Sequence, residues 1–292
     1  MKQILIALLL FPVLAFAQQI KTDHKLEKEL NTLISGFKGT VGIYTMNLKT
    51  GKQAGIYTDS IFPTASIVKV PILIGLFDKI EKGELSYHQP LMYRDSIKYG
   101  GSGIMQFFKD SSATELSVLA NLMMTYSDNT TSLWNQRLAG GGARINEVLE
   151  QYGFKDTRVN SRTKGREAIW KIYGWGQTTP REMATLLVKI RKGEIISKAA
   201  SERMYRLMTK GYYDENALAQ IPPYVQAAAK SGAVNESRSE VVLVNAPHGD
   251  YVFYVGTKNI KDQSWTPDNE AEQLIRKVSA LLWKYYEPAG LR

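Results

Sequence analysis

The chain has 292 residues, with 37 Lys and Arg against 28 Asp and Glu, a surplus of nine positive charges at neutral pH. With 44% hydrophobic and 22% charged residues it has the composition of a globular protein, which excludes collagen-like, low-complexity and disordered classes. It has no cysteine, and its three histidines, His24, His88 and His248, stand in no ligand spacing, so disulfides, thiolate chemistry and a zinc or iron site are excluded.

In chain order, residues 1–17 read as a secretory signal peptide. Lys2 is the positive start, Ile4 to Leu14 the apolar stretch, and Ala15-Phe16-Ala17 the cleavage site before Gln18. The apolar run, broken by Pro12, is shorter than the roughly 20 residues of a membrane span. The expectation is therefore an exported protein, periplasmic or secreted, without membrane insertion after cleavage. There a basic surplus meets no nucleic acid; it either faces anionic wall polymers and headgroups or is a solvated basic surface.

Leu26, Leu30, Leu33, Ile34 and Phe37 recur at helical spacing and predict a helix over about 22–37. Thr40 to Leu48 reads as a strand, with Lys49-Thr50-Gly51 as the turn into a second one. Apolar helical runs follow at 66–81, 115–125, 130–139, 143–151, 180–191 and 199–209, separated by long loops at 94–112 and 154–179. Strands return at 227–234, 240–245 and 251–256, and Thr266 with Pro267 predicts the start of a last helix whose stripe runs from Ala271 to Tyr285. Both ends thus carry helix and antiparallel strand, and the middle is helical. The economical architecture is an α/β (α+β) fold: an antiparallel sheet flanked by terminal helices, formed by 18–65 and 212–292, with an all-α insertion at 66–211 and a cleft at the seam.

Without thiols or metals, chemistry must run on Ser, Lys, Asp, Glu or Tyr. Ser-x-x-Lys places a lysine amine one helical turn from a serine hydroxyl, where it can take the proton. The pattern occurs three times. At Ser35 it ends a helix and at Ser161 it lies in a loop. Ser66-Ile67-Val68-Lys69 is different, because Pro63-Thr64-Ala65 lead into it and the apolar Val70 to Phe77 follows. Ser66 then sits at a helix N-terminus, which favours a developing anion, and burial of Lys69 near a second cation would leave its amine neutral. Ser127-Asp128-Asn129 lies between two helices, and Lys230-Ser231-Gly232 opens a strand. By chance the first tripeptide occurs in roughly one chain of this length in twenty and the second in about one in six. All three in this order are no accident.

With these motifs, and with Thr178-Thr179-Pro180 resuming a helix after the long loop, the chain resembles the class A β-lactamases of the penicillin-binding serine acyl-transferase superfamily. The resemblance spans nearly the whole mature chain. It implies the β-lactamase/transpeptidase-like fold, a β-lactam or cell-wall peptide substrate, a monomer and no cofactor or metal. It also implies that Ser66 is acylated, with Lys69 as base or proton relay, Ser127 as proton donor to the leaving nitrogen, and Lys230 polarising that network. Asn129 would bond the acyl amide, Ser231 the substrate carboxylate, and the N–H of Ala233, with that of Ser66, the oxyanion. Arg238 is either the carboxylate-binding guanidinium, one residue short of the usual spacing, or a hairpin arginine. Tyr99 lines the cleft mouth or packs the loop.

The chain departs from the family in the loop that should release the acyl group. Counting back from Pro180, the family's Glu position falls on Thr163 and its Asn position on Glu167, while the Arg–Asp pair that clamps the loop falls on Ser161 and Gly176. Glu167 is the candidate deacylation base, against a surface glutamate pairing Arg166 or Lys171. Arg162 and Arg166 are candidates for another anchor, and Trp170, Tyr173 and Trp175 read as packing beneath the loop. The leading expectation is a serine β-lactamase. The alternatives are a D-alanyl-D-alanine peptidase or transpeptidase of the same fold, or a sensor that stays acylated.

Overall fold

The computed structural model describes residues 21–288, so the expected signal peptide at 1–17 lies outside the described residues. The chain opens with β1 (Lys21–Thr22), α1 (His24–Leu33), β2 (Thr40–Asn47), β3 (Lys52–Ile56) and a short β4 (Phe62–Pro63). A 3-10 turn at Ala65–Val68 runs into α2 (Lys69–Glu81), and β5 (Pro90–Met92) and β6 (Ala113–Glu115) bracket the 94–112 loop. Three helices follow, α3 (Leu116–Thr125), α4 (Asn129–Leu138) and α5 (Gly141–Gln151). Then come β7 (Arg158–Val159), α6 (Glu167–Tyr173), β8 (Gly176–Thr178), α7 (Pro180–Arg191) and α8 (Lys198–Met208). The last elements are β9 (Ala227–Val234), β10 (Ser237–Val244), β11 (Tyr251–Lys258) and α9 (Glu270–Tyr286).

The main sheet has six strands in the order β1-β3-β2-β11-β10-β9, antiparallel except for the β1–β3 pair. Side chains alternate across it. On β10, Val241 and Leu243 join the core against the helices, while Val242 and Val244 join a second core against α1 and α9. Because both faces are covered, the strand reads as a continuous apolar run. On the helical side α2 is buried at every position from Lys69 to Asp78, as expected of a helix apolar all round.

This burial pattern places the Ser66 turn against β9, an edge strand of the main sheet. Two expectations are corrected. The last helix starts at Glu270 rather than beside Thr266 and Pro267: the buried Asn269 caps it, its Oδ1 accepting the N–H of Ala271 at 3.0 Å and Glu272 at 3.2 Å. The 154–179 stretch is not an unstructured loop. It holds α6, and β8 pairs with both β7 and β4, so its two ends are stitched to the nucleophile turn.

Candidate active site

Ser66 stands in the first turn of the 3-10 segment, where backbone N–H groups lack intrahelical partners. The residue before it, Ala65, has φ +43°, and Ser127 has φ +51°. A left-handed backbone costs an L-residue roughly 1–2 kcal/mol and is sustained only by surrounding packing. That packing brings two strands close against the turn. A Cβ at Gly232 would lie 2.4 Å from the Thr64 carbonyl and 3.1 Å from Ser66 N, and one at Gly176 would meet Val68 Cγ2 at 2.6 Å. Glycine at both positions lets β9 and β8 close on the turn. Ala233, next along β9, lines the same cleft as Ser66.

Lys69 is fully buried. Its Nζ stands 2.8 Å from Ser66 Oγ, 2.6 Å from the Ser127 carbonyl, 3.0 Å from Ser127 Oγ and 3.0 Å from Asn129 Oδ1. Burial first, and then the charge of Lys230, hold its pKa well below the ordinary lysine value, against a smaller opposing pull from Asp128. A neutral amine has two hydrogens and one lone pair. The Ser127 carbonyl and Asn129 Oδ1 can only accept, so they take the two hydrogens, and the lone pair is left for a hydroxyl. The Ser66 hydroxyl is the nearer. Asp128 builds the frame: its carboxylate accepts the N–H of Thr131 and of Met105, each at 2.8 Å, so one side chain caps α4 and ties down the 94–112 loop. Its place just before a helical run was the sequence signal for that role.

Lys230 is buried on β9, with Nζ 2.9 Å from the Ser231 carbonyl. Burial lowers its pKa to about 8, partly offset by the charge of Glu240. Ser231 follows on the alternate side of β9, opposite Glu240 in register. Glu240 is itself buried, with a pKa pushed up to about 7 by that burial. Arg238 does not face the cleft. It is 1% exposed, its Nε donates to Glu272 at 3.1 Å, Nη1 to the Ser237 carbonyl at 3.2 Å and Nη2 to the Ser264 carbonyl at 2.8 Å. A guanidinium so occupied holds the hairpin to the 259–269 segment and has no fork left for a carboxylate.

The structure also moves Glu167 away. It is an exposed residue on the first turn of α6, and its Oε1 accepts the N–H of Gly165 at 3.1 Å. Neither it nor Thr163, whose hydroxyl bonds the Ser161 carbonyl at 3.0 Å, lines the cleft. Ser161 is bound to Gln136 at 3.0 Å, so the third Ser-x-x-Lys carries no chemistry. Arg166 is the loop's anchor: Nε bonds Asn160 Oδ1 at 2.7 Å and Nη2 bonds Gln177 Oε1 at 3.0 Å, joining the two ends that the family's ion pair would join. What the loop presents to the cleft is Ile172 to Trp175. The Trp175 ring lies 5.9 Å from Lys69 Nζ and edge-on to Tyr99 at 5.3 Å. Tyr99 and Trp175 therefore line the cleft together, and the reading of Tyr173 and Trp175 as packing alone is corrected; Trp170 stays at the surface, 46% exposed.

The two lysines fix an expected pH profile. The reactivity of Ser66 toward an anionic acylating reagent is expected to rise with pH as Lys69 loses its proton, and to fall as pH passes through about 8, where Lys230 loses its positive charge. Single-turnover acylation rates from pH 5 to 10 measure it, and a rate still climbing above pH 9 is the contrary result.

A buried amine poised on a serine hydroxyl thus lies at the seam of a sheet and a helical layer. The profile described as the "Beta-lactamase enzyme family" matches residues 25–286, and the chain belongs to that family. Among its relatives, the β-lactamase VEB-1 of Pseudomonas aeruginosa is 23% identical over 298 residues, 98% of each chain. The structure of PBP-A superposes with a TM-score of 0.81 at 27% identity, covering 92% of this chain and 98% of that one. A mutant of PBP-A, described as an acyl-enzyme complex with penicillin G, gives the same TM-score of 0.81 at 26% identity, over 92% of this chain and 98% of that one.

Proposed function

We propose that the protein is a serine acyl-transfer hydrolase that opens β-lactam amides through an acyl-enzyme on Ser66. The observation that carries this reading is the fully buried Lys69 amine, 2.8 Å from Ser66 Oγ, with its two hydrogens committed to carbonyl acceptors. In this mechanism Lys69 takes the hydroxyl proton as Ser66 Oγ attacks the carbonyl carbon. The oxyanion forms against the N–H groups of Ser66 and Ala233. The proton then passes through Ser127 Oγ, 3.0 Å from the amine, to the leaving nitrogen as the amide C–N bond breaks. In the same reading Asn129 bonds the acyl amide and Lys230 attracts the carboxylate. The reading is supported by the PBP-A mutant, which is described as an acyl-enzyme complex with penicillin G.

One observation favours the slower alternatives among the expected functions. Where the loop meets Lys69 there is the Trp175 ring, and among the described residues no carboxylate of the loop lines the cleft, so the loop supplies no general base for hydrolysis of the ester. General-base help is typically a factor of about 10²–10⁴. The second reading is therefore a D-alanyl-D-alanine peptidase or transpeptidase, in which the β-lactam adduct is long-lived. Mixing the purified protein with a chromogenic cephalosporin should give a burst equal to the enzyme concentration, a slow steady state, and nothing with Ser66→Ala. Steady turnover as fast as the burst would return the protein to efficient β-lactamases. A burst that survives Ser66→Ala would remove the mechanism.

A further inference from the structure

A second recess opens where the 94–112 loop, α4 and the 160–166 stretch meet, and it shares no lining residue with the cleft of Ser66. It measures about 90 Å³, and each of the three segments gives it one cation: Lys98, Arg137 and Arg162. No carboxylate lines it. The three side chains are exposed, and among the described residues none of them is hydrogen-bonded or ion-paired; the Arg162 guanidinium only lies 6.0 Å from the Tyr99 ring. Elsewhere Arg144, Arg158, Arg181 and Arg191 each pair with a carboxylate. The fold holds the three unpaired charges together. Gln136, beside Arg137, donates from Nε2 to the Ser161 carbonyl at 2.6 Å and accepts from Ser161 Oγ at 3.0 Å, and Ser161 precedes Arg162. On the other side Tyr99, next to Lys98, donates its N–H to Thr130 Oγ1 at 3.0 Å, and that hydroxyl donates to the Tyr99 carbonyl at 2.9 Å. Both clamps end on α4, on the buried Gln136 and Thr130. Arg162 has φ +49°, a conformation that costs an L-residue roughly 1–2 kcal/mol, so the clamps and not local preference set its position.

We propose that this recess binds a phosphoryl group, either free phosphate or a phosphate carried on a polymer. Like charges fixed around one opening repel one another, and an anion seated among them turns that repulsion into attraction. The donors are two guanidinium forks and an ammonium, none of which can accept, so the ligand presents acceptors alone. A phosphate offers oxygens to both forks and the ammonium at once, whereas a carboxylate has only two. The size of the recess suits one such group, with whatever carries it lying outside the mouth. The inference does not depend on the acyl transfer proposed above, and it gives part of the basic surplus a task outside the catalytic cleft.

Isothermal titration calorimetry of the purified protein with inorganic phosphate, at an ionic strength held constant with chloride, tests the site. The unaltered protein binds phosphate saturably. Arg137→Gln and Arg162→Gln each weaken binding about fivefold, the scale of one exposed ion pair, and together they weaken it more than tenfold. Because these side chains are exposed, the variants keep the melting temperature of the unaltered protein. Lys277→Gln, which removes an exposed cation from α9, leaves the affinity unchanged. A second titration with poly(glycerol phosphate) distinguishes the sources: tighter binding per phosphate than the free ion assigns the recess to a polymer, and weaker binding assigns it to free phosphate. No saturable binding of either, the same loss with Lys277→Gln as with Arg137→Gln, or acetate binding as tightly as phosphate overturns the proposal.

Discussion

Lys69→Met acylates Ser66 between about 10²- and 10⁴-fold more slowly than the unaltered protein, the range that a positioned proton acceptor supplies. The size follows from the hydrogen accounting. Of the four groups around Nζ, two are carbonyl oxygens that fix the amine's hydrogens, so its lone pair is directed at a hydroxyl. No other unprotonated nitrogen lies within hydrogen-bonding distance of Ser66 Oγ among the described residues. Methionine keeps the apolar stem and removes the base. It also strips donors from the Ser127 carbonyl and Asn129 Oδ1, each loss costing about 1–3 kcal/mol where the group stays buried, so the melting temperature must be recorded beside the rate. Rapid-quench mass spectrometry of the Ser66 adduct, well below that temperature, reads the effect. A loss under tenfold in a folded protein would assign the base elsewhere.

Gly232→Val separates the oxyanion geometry from the base. Its Cβ would stand 2.4 Å from the Thr64 carbonyl, closer than real side chains come, and a tight 3.1 Å from Ser66 N, and both neighbours are backbone that cannot turn away. Either β9 shifts outward or the Ser66 turn does. Overpacking of this kind costs about 1–3 kcal/mol of stability. The larger effect is on rate, because Ala233 moves with β9, and losing one oxyanion donor costs about 10²–10³. Three of the four Lys69 contacts are to Ser127 and Asn129, away from β9, but the Lys230 charge on β9 also holds the Lys69 pKa down, so the rate falls throughout and the pH at which acylation begins to rise moves upward where β9 carries Lys230 outward. If the rate holds and only stability drops, the N–H of Ala233 is not an oxyanion donor.

The sequence was legible wherever a local rule applied. The strand from Thr40 and the helices α2 to α5, α7 and α8 lie where the apolar periodicity put them, and Ser66 with Lys69 needed only the spacing of one helical turn. Glu167 and Arg238 failed for different reasons. A stretch without periodicity, such as 160–166, gives no rule for which side chain turns inward, so counting from Pro180 set Glu167 beside the chemistry when its carboxylate caps Gly165 at the surface. Arg238 failed on register. Val234 pairs with Ser237 across the β9–β10 hairpin, which puts Ser239 and Val241 on the face of Lys230 and sends Arg238 to Glu272 behind the sheet. A single residue of offset reverses the face.

By itself, then, the sequence determined the order of the long helices and the main-sheet strands from Thr40 on, and it singled out Ser66, Lys69, Ser127 and Lys230 as candidates. Spacing, periodicity and the absence of cysteine are properties of the chain. The tertiary structure alone decided that Lys69 is buried with its pKa held well below the ordinary lysine value, that Arg166 closes the loop through Asn160 and Gln177, and that Trp175 rather than a carboxylate meets the amine. Burial, charge proximity and loop orientation arise between segments far apart in sequence, and they come into existence only when the sheet and the helical layer close on each other.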